Sequence, residues 1–164
     1  YFGLMVETDF NNQTFSKLSV DHSVGALITV PDGRYLMQLR DNAQNVNMRN
    51  NWGVFGGWLK EGEPTEKALL RELDEELEFV TNYFEWFTEI TYLVPGVIRG
   101  PIHKTFYHIK IQLRDVEQMV QHEGAAKNLF KPLELAQLCN VLPWDLCAVL
   151  AHWRRVKIQK LHND

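Results

Sequence analysis

Residues 57–79 read GWLKEGEPTEKALLRELDEELEF, and this stretch contains the clearest structural pattern in the chain. Apolar side chains recur within it at the spacing of one helix face, at Leu69, Leu70, Leu73 and Leu77. That spacing predicts an amphipathic helix over residues 65–77. The Gly-Gly pair at 56–57 precedes the helix and predicts a bend, because glycine lets the backbone turn and approach closely.

The last part of this helix is unusually acidic. Residues 71–78 contain five carboxylates and one arginine. Glu72, Glu75 and Glu76 stand at i, i+3 and i+4, so their side chains project from one side of the helix. Like charges at this spacing repel one another, and clustered oxygen ligands suit a hard divalent cation such as Mg²⁺. The sequence therefore predicts a metal site on this face.

The segments before the helix predict strands. Residues 24–30 form a short apolar run, residues 31–33 read Pro-Asp-Gly, and residues 34–40 fit the return strand of a hairpin. Residues 41–51 carry five asparagines and no apolar pattern, which predicts a long loop. Residues 52–58 predict a further strand that ends in the Gly-Gly bend.

The segments after the helix predict more strands and then helices. Residues 90–94 and 104–113 fit strands, and the alternation in the second favours a half-buried one. Residues 116–131 contain a predicted loop. The predicted helices cover 132–138 and 143–160. This order predicts one α/β domain over residues 21–164, with helices on both faces of a mixed sheet, after an N-terminal arm or strand over 1–20.

Composition limits the classes of function. The chain has 164 residues and a net charge of −4, so no general attraction to nucleic acid or anionic membrane is expected. No apolar run reaches the ~18 residues that span a bilayer. Cys139 and Cys147 match no zinc-ligand spacing and are predicted to be buried or half-buried thiols in a reducing compartment, which favours the cytoplasm.

The order and spacing of glycine, arginine and acidic residues in the first stretch resemble those of a known family. From Gly57 to Glu76 the pattern is G-x5-E-x7-R-E-L-x-E-E, and it resembles the Nudix box. The resemblance implies a Nudix-type α/β/α sandwich. One position departs from the box, because Glu78 stands where the family usually has glycine. A non-glycine residue in a left-handed helix exit costs about 1 kcal/mol, so we expect either a strained turn or a helix that runs on.

What the resemblance implies is Mg²⁺-dependent hydrolysis, with Mn²⁺ as an alternative ion. The reaction would cleave the pyrophosphate linkage of a nucleoside diphosphate derivative by attack of water on phosphorus. A nucleoside triphosphate, a nucleotide sugar and ADP-ribose all stay open as substrates, and a homodimer stays open as the assembly. The alternative is a catalytically inactive Nudix-fold module that binds a nucleotide or a protein. Such modules typically lack box carboxylates, and here all are present.

The resemblance also implies roles for individual residues. The metal ligands would be the carboxylates of Glu72, Glu75 and Glu76 with the backbone carbonyl of Gly56. Arg71 would hold the carboxylates in place, and Glu63 would pair with that arginine. Family members often add one acid from a distant loop as metal ligand or general base. Glu123, followed by Gly124, fits this role best, and Asp115 and Glu117 fit it less well.

Substrate-binding residues are less specific in sequence. Trp52 and Trp58 flank the bend and are candidates to stack on a base, although packing in the core or at its edge is the commoner role of such rings. Arg40, beside the long loop, is a candidate to contact phosphate. Pro95 lies 16 residues after the box, as in some ADP-ribose pyrophosphatases, but Pro95-Gly96 is also an ordinary turn.

Overall fold

The computed structural model describes residues 20–42, 48–93 and 100–162. Six strands form one sheet in the order β3-β2-β1-β5-β4, and β6 pairs with β2. The elements in chain order are β1 (Asp21–Thr29), β2 (Tyr35–Leu39), β3 (Trp52–Gly53), α1 (Thr65–Leu77), β4 (Glu85–Tyr92), β5 (Ile102–Lys110), α2 (Leu113–Gln118), β6 (Ala126–Phe130), α3 (Pro132–Leu135) and α4 (Pro143–Leu161).

The sheet is mixed, as predicted. β1 and β5 run parallel through nine paired residues, while β2, β3, β4 and β6 pair with their neighbours antiparallel. The predicted hairpin is present, since β1 and β2 are antiparallel neighbours and Thr29 pairs with Tyr35. Because a parallel pair cannot be joined by a tight turn, the long crossover between β1 and β5 has room for α1.

Two apolar layers cover the two faces of the sheet. On one face, Leu69, Leu73 and Leu77 of α1 pack against residues of β1 and β5 such as Ile28 and Ile109. On the other face, the core contains apolar residues of α4 and of the strands, namely Leu27, Tyr35, Met37, Phe106, Ala148 and Val149. Alternation along β1 sends neighbouring side chains to opposite layers. The architecture is therefore the predicted α/β/α sandwich.

Two strand predictions are wrong. β5 is buried on both faces rather than half-buried, because it lies in the middle of the sheet between β1 and β4. Its polar positions misled the periodicity argument: His108 and Lys104 are buried with specific polar partners. Leu113 does not end that strand but begins α2. Residues 126–128, the last part of the loop predicted at 121–128, belong to β6 (Ala126–Phe130).

The cysteine prediction is also wrong, since Cys139 and Cys147 are both exposed. Cys139 lies in the bend after α3. On α4 the inward positions are occupied by Asp145, Ala148, Val149 and His152, and the helical period turns Cys147 away from them.

Some predictions concern residues outside the described ranges. They are the N-terminal arm over 1–19, the middle of the loop at 43–47, and the Pro95-Gly96 turn with the substrate preference that it suggested. Within the described ranges, no helix is both long and apolar enough to cross a membrane.

Candidate active site

The Gly-Gly bend lies directly against the acidic helix. Strand β3 is shorter than predicted, and two isolated bridges continue its path, from Phe55 to Ala26 and from Trp58 to Ser23. Between them, Gly56 has φ +129°, and a side chain there would collide with the backbone of Val24. Both the conformation and the close approach therefore require glycine.

The neighbouring glycine makes room for a carboxylate. A Cβ atom at Gly57 would lie 2.5 Å from the carboxylate carbon of Glu72. The backbone N–H of Gly56 donates to Oε2 of Glu76 at 2.8 Å, and Nε2 of Gln38 donates to Oε1 of Glu76 at 3.3 Å. Glu72 and Glu76 thus face the bend, as their i, i+4 spacing predicts.

Burial sets the electrostatics of these two acids. Glu76 is 4% exposed, and this burial raises the pKa of its carboxyl to about 7 against the opposing hydrogen bond from Gly56. The negative charges of Glu72 and Glu123 raise it further. Burial also raises the pKa of Glu72, and Arg71 counteracts that effect. Both carboxyls are therefore harder to ionise than a free glutamate, and a bound cation would favour their ionised forms.

Arg71 contacts four groups around the box. It makes a two-point contact with Glu63, from Nε to Oε1 and from Nη2 to Oε2, each at 2.8 Å. Its Nη1 donates to Glu72 at 2.7 Å and to Glu75 at 3.1 Å, and Nη2 donates to the carbonyl of Trp58 at 3.0 Å. The hydrogen bonds from Arg71 hold the pKa of Glu63 at about 2. Such fork-shaped, charge-assisted contacts fix side-chain direction.

The loop that follows α2 brings Glu123 to the same cleft as Glu72 and Glu76. The loop is fixed by its neighbours. The N–H of His122 donates to the carbonyl of Glu76 at 2.9 Å, and Nε2 of Gln38 donates to the carbonyl of Glu123 at 3.0 Å. Asp115, a weaker candidate for the distant acid, instead accepts from the N–H of Gln112 at 2.7 Å at the start of α2.

Glu78 forms the left-handed helix exit that a glycine usually provides. The helix ends at Leu77, and Glu78 has φ 48° and ψ 36°. Its N–H donates to the carbonyl of Asp74, and the N–H of Phe79 donates to that of Leu73, as in a Schellman cap. The first expectation, a strained turn, is therefore confirmed. The Glu78 side chain gains a contact with Nε2 of His122 at 2.6 Å.

The acidic cleft has a volume of about 460 Å³, and its lining includes Arg40, Trp58, Glu72, Glu76 and Glu123. As placed, no three His, Cys, Asp or Glu side chains of the described residues are gathered tightly enough to hold a metal ion. The residue types still suit one, because carboxylates from α1 and from the Glu123 loop line the same cleft. Their mutual repulsion favours binding of a cation there.

Two predicted residues lie away from this cleft. Glu75 contacts Arg71 and, at 3.9 Å, Lys60, on the exposed side of the helix. The Trp52 ring packs edge-on against Phe130 with centroids 4.8 Å apart, and it is half-buried at the rim of the α4-side core. Trp58, by contrast, is 52% exposed at the cleft.

A narrow groove continues from the cleft past Arg40 and the Gly-Gly bend. Tyr92 and Trp144 stack along it in parallel, with centroids 4.1 Å apart and an angle of 6°. Ser23 also lines it, and its hydroxyl is the one buried side-chain polar atom without a hydrogen-bond partner in the described ranges. Sequence analysis missed these residues, because nothing near them in the chain marks them as neighbours of the box.

Comparisons with known proteins agree with this geometry. The family model of the NUDIX domain matches residues 21–154. An RNA pyrophosphohydrolase of Sulfurovum sp. (strain NBC37-1) is 33% identical over 86 residues, which are 47% of this chain and 53% of that protein. The match thus spans about half the length of this relative.

Solved structures share the fold at low identity. The MutT protein from Methanosarcina mazei Go1 has a TM-score of 0.70 at 14% identity, with 86% of this chain and 97% of that chain covered. The NUDIX domain of Shewanella oneidensis NrtR, crystallised with ADP ribose, has a TM-score of 0.65 at 16% identity, with 92% and 94% covered. Since the family model spans well over half of the sequence, the chain belongs to the NUDIX domain family, as its box predicts.

Proposed function

We propose that the protein is a metal-dependent hydrolase that cleaves the pyrophosphate linkage of a nucleoside diphosphate derivative. The observation that carries this proposal is the convergence of Glu72, Glu76 and Glu123 on one cleft beside a glycine bend. A buried carboxylate with a raised pKa is costly to maintain, and such groups concentrate at functional sites.

The proposed ion is Mg²⁺, or Mn²⁺ in its place. Glu72, Glu76, Glu123 and the carbonyl of Gly56 would hold it, because these groups adjoin the cleft. Glu75 is a weaker ligand candidate, since it bonds Arg71 outside that space. A divalent cation here would neutralise phosphate oxygens, lower the pKa of bound water and orient the water for attack on phosphorus.

The chain's own residues have three further proposed tasks. Arg71, anchored by Glu63, holds Glu72 in position through hydrogen bonds of 2.8 Å and 2.7 Å. The N–H of Gly56 orients the Glu76 carboxylate. Glu123, which is exposed at the cleft, accepts the proton of the attacking water or completes the ligand set.

The adjoining groove is the proposed site of the nucleoside. The Tyr92-Trp144 stack and the exposed Trp58 offer flat apolar surface to a base. Arg40 lies where the groove meets the cleft, within reach of the phosphates. Trp52 is not placed to take part in this stacking, because its ring packs against Phe130.

A panel assay tests the function and narrows the substrate. Nucleoside triphosphates, nucleotide sugars, ADP-ribose and dinucleoside polyphosphates are incubated with Mg²⁺, and products are separated by ion-exchange chromatography. A 5′-triphosphorylated RNA is included because a relative is an RNA pyrophosphohydrolase. We expect cleavage of at least one member, and none in excess chelator. Full activity in chelator contradicts the metal-dependent proposal.

The second candidate is a nucleotide-binding module without turnover. It is favoured by the structural likeness to a NUDIX domain crystallised with ADP ribose. If calorimetry detects binding of a panel member and no cleavage occurs over a day, the binding-module hypothesis is supported and hydrolysis is rejected.

A further inference from the structure

A second cavity, larger than the acidic cleft, is separate from it. It has a volume of about 600 Å³ and shares no lining residue with the cleft. Its walls are the start of β4, the ends of β1 and β5, and the second half of α4. The groove proposed for the nucleoside adjoins the first turn of α4, at Trp144. The groove and the cavity therefore lie along different parts of α4.

The floor of this cavity is polar and incompletely bonded. His108 bonds Thr29 through Nε2 at 2.8 Å, and His152 bonds the Tyr35 hydroxyl through Nδ1 at 2.6 Å. Both rings are more than nine-tenths buried, and their centroids are 4.0 Å apart. Neither ring has another hydrogen bond within the described part of the chain. The second nitrogen of each ring is not among the fully buried unpartnered atoms of the described residues, and both histidines line the cavity.

Burial keeps both rings neutral. It lowers the pKa of His108 to about 4 and that of His152 to about 3. A neutral imidazole keeps one N–H donor and one lone pair, so each free nitrogen can donate or accept according to the tautomer. A pair of such groups suits the edge of a heterocyclic ring.

The mouth is cationic and aromatic, although the chain as a whole is acidic. Lys110, Arg155 and Lys160 line the cavity with a single carboxylate, Glu85. The net charge of the whole chain is −4, so this positive rim is a local feature. Of these charged groups, Lys110 and Arg155 face both imidazoles, and Glu85 faces His152.

Three aromatic rings complete the walls. Trp86 is 58% exposed at the mouth, and Phe87 and Trp153 are half-buried behind it. The Arg155 guanidinium lies over the Phe87 ring at 5.6 Å from its centroid. An exposed tryptophan beside lysine and arginine side chains offers stacking and charge together.

We propose that this cavity is a second ligand site, and that its ligand is a phosphate monoester that carries a flat aromatic ring, the class represented by nucleoside monophosphates. The ring stacks on Trp86 and meets the free imidazole nitrogens, while the phosphate pairs with Arg155 and Lys110. The volume falls within the range of small-molecule sites. This site does not depend on hydrolysis in the cleft.

The test is isothermal titration calorimetry in chelator, with adenosine monophosphate, adenosine and inorganic phosphate as probes. We expect adenosine monophosphate to bind at least about tenfold more tightly than adenosine or inorganic phosphate alone, because the site contacts both the ring and the anion. Amide shifts in a parallel NMR titration should map to residues 85–87 and 152–160. Equal affinities for the three probes, or shifts confined to residues 56–58 and 72–76, overturn the proposal.

Matched variants locate the anion and ring contacts. Arg155→Ala should weaken binding of the monophosphate about tenfold, whereas Arg154→Ala, the adjacent exposed arginine that does not line the cavity, should change it less than twofold. Trp86→Ala removes the exposed ring without touching the core and should also weaken binding. If the two arginine variants weaken binding equally, general surface charge accounts for the binding, and the proposed site is rejected.

Discussion

Glu76 combines burial with ionisable chemistry at the scale of a single residue. Its carboxyl is 4% exposed, and burial raises its pKa to about 7. The folded protein therefore binds this proton more tightly than the unfolded chain, whose glutamate pKa is about 4.3. The contribution of Glu76 to the free energy of unfolding is therefore fully present below the unfolded pKa, and it is lost as pH rises toward 7.

Replacing Glu76 by glutamine should remove that pH dependence. In chelator, the free energy of unfolding of the wild type should fall between pH 4.5 and 7 relative to that of Glu76→Gln, which stays neutral throughout. Urea unfolding at pH 5 and pH 8 measures the difference. Asp74→Asn, an exposed acid of the same helix, is the control and should follow the wild type. Parallel pH profiles for the wild type and Glu76→Gln would contradict the assigned burial cost.

Glu78 tests the strain at the helix exit. Glycine tolerates the left-handed conformation, so Glu78→Gly should relieve about 1 kcal/mol. It also removes the contact with His122, an exposed pair that contributes about 0.2–1 kcal/mol. In a His122→Gln background only the relief of backbone strain should remain. Glu78→Gly should therefore stabilise that background more than it stabilises the wild type.

A double-mutant cycle by urea unfolding measures this difference for Glu78 and His122. Additive effects would show that the 2.6 Å contact has no energetic consequence.

Among elements, α1 was predictable and parts of the sheet were not. Leucine spacing gave the helix its observed bounds, because its packing face is encoded locally. β6 pairs with β2 from about 90 residues away, and its short AKNLF sequence carries no strand period of its own. The box thus predicted Glu72 and Glu76, but only the fold brings Gln38 to the cleft and Ser23 and Trp144 to the adjoining groove.

The strand-to-helix contact between β5 and α4 depends on a buried ion pair. Nζ of Lys104 lies 2.8 Å from Oδ1 of Asp145, which is fully buried, and Oδ2 accepts from the N–H of Val54 at 3.0 Å. Lys104→Met leaves the carboxylate buried without its cation and should cost about 3–5 kcal/mol.

The partner substitution distinguishes charge from packing. Adding Asp145→Asn to Lys104→Met should recover part of the lost stability, since the amide is neutral and its oxygen still accepts from Val54. Lys110→Met, at the exposed end of the same strand, should change stability by less than about 0.5 kcal/mol in urea unfolding. No recovery in the double variant would contradict an electrostatic origin.

At the scale of the whole molecule, two neutral imidazoles limit acid stability. His108 and His152 have pKa values of about 4 and about 3 when folded, and a histidine in the unfolded chain titrates near 6.5. Between these values the unfolded chain binds more protons. The contribution of the two neutral histidines to stability is therefore fully present above pH 6.5, and it is lost as pH falls toward 4.

The Glu76→Gln background isolates this effect, because it lacks the opposing carboxyl. Its unfolding free energy should fall by up to about 1.4 kcal/mol per pH unit for each histidine between pH 6.5 and 4. Adding His152→Gln should reduce the slope by about half, because His108 remains, whereas His162→Gln, exposed at the end of α4, should leave it unchanged. An unaltered profile with His152→Gln would contradict the neutral buried ring.

The central claim is that the carboxylates on the acidic cleft perform pyrophosphate hydrolysis, and the rate of Glu76→Gln tests it most directly. With the best substrate of the panel and saturating Mg²⁺, ³¹P NMR follows product release by wild type, Glu76→Gln and Asp74→Asn. We predict that kcat falls about 10²–10⁴-fold in Glu76→Gln, with its fold intact, and changes less than about twofold in Asp74→Asn. Wild-type turnover by a folded Glu76→Gln protein would contradict the account.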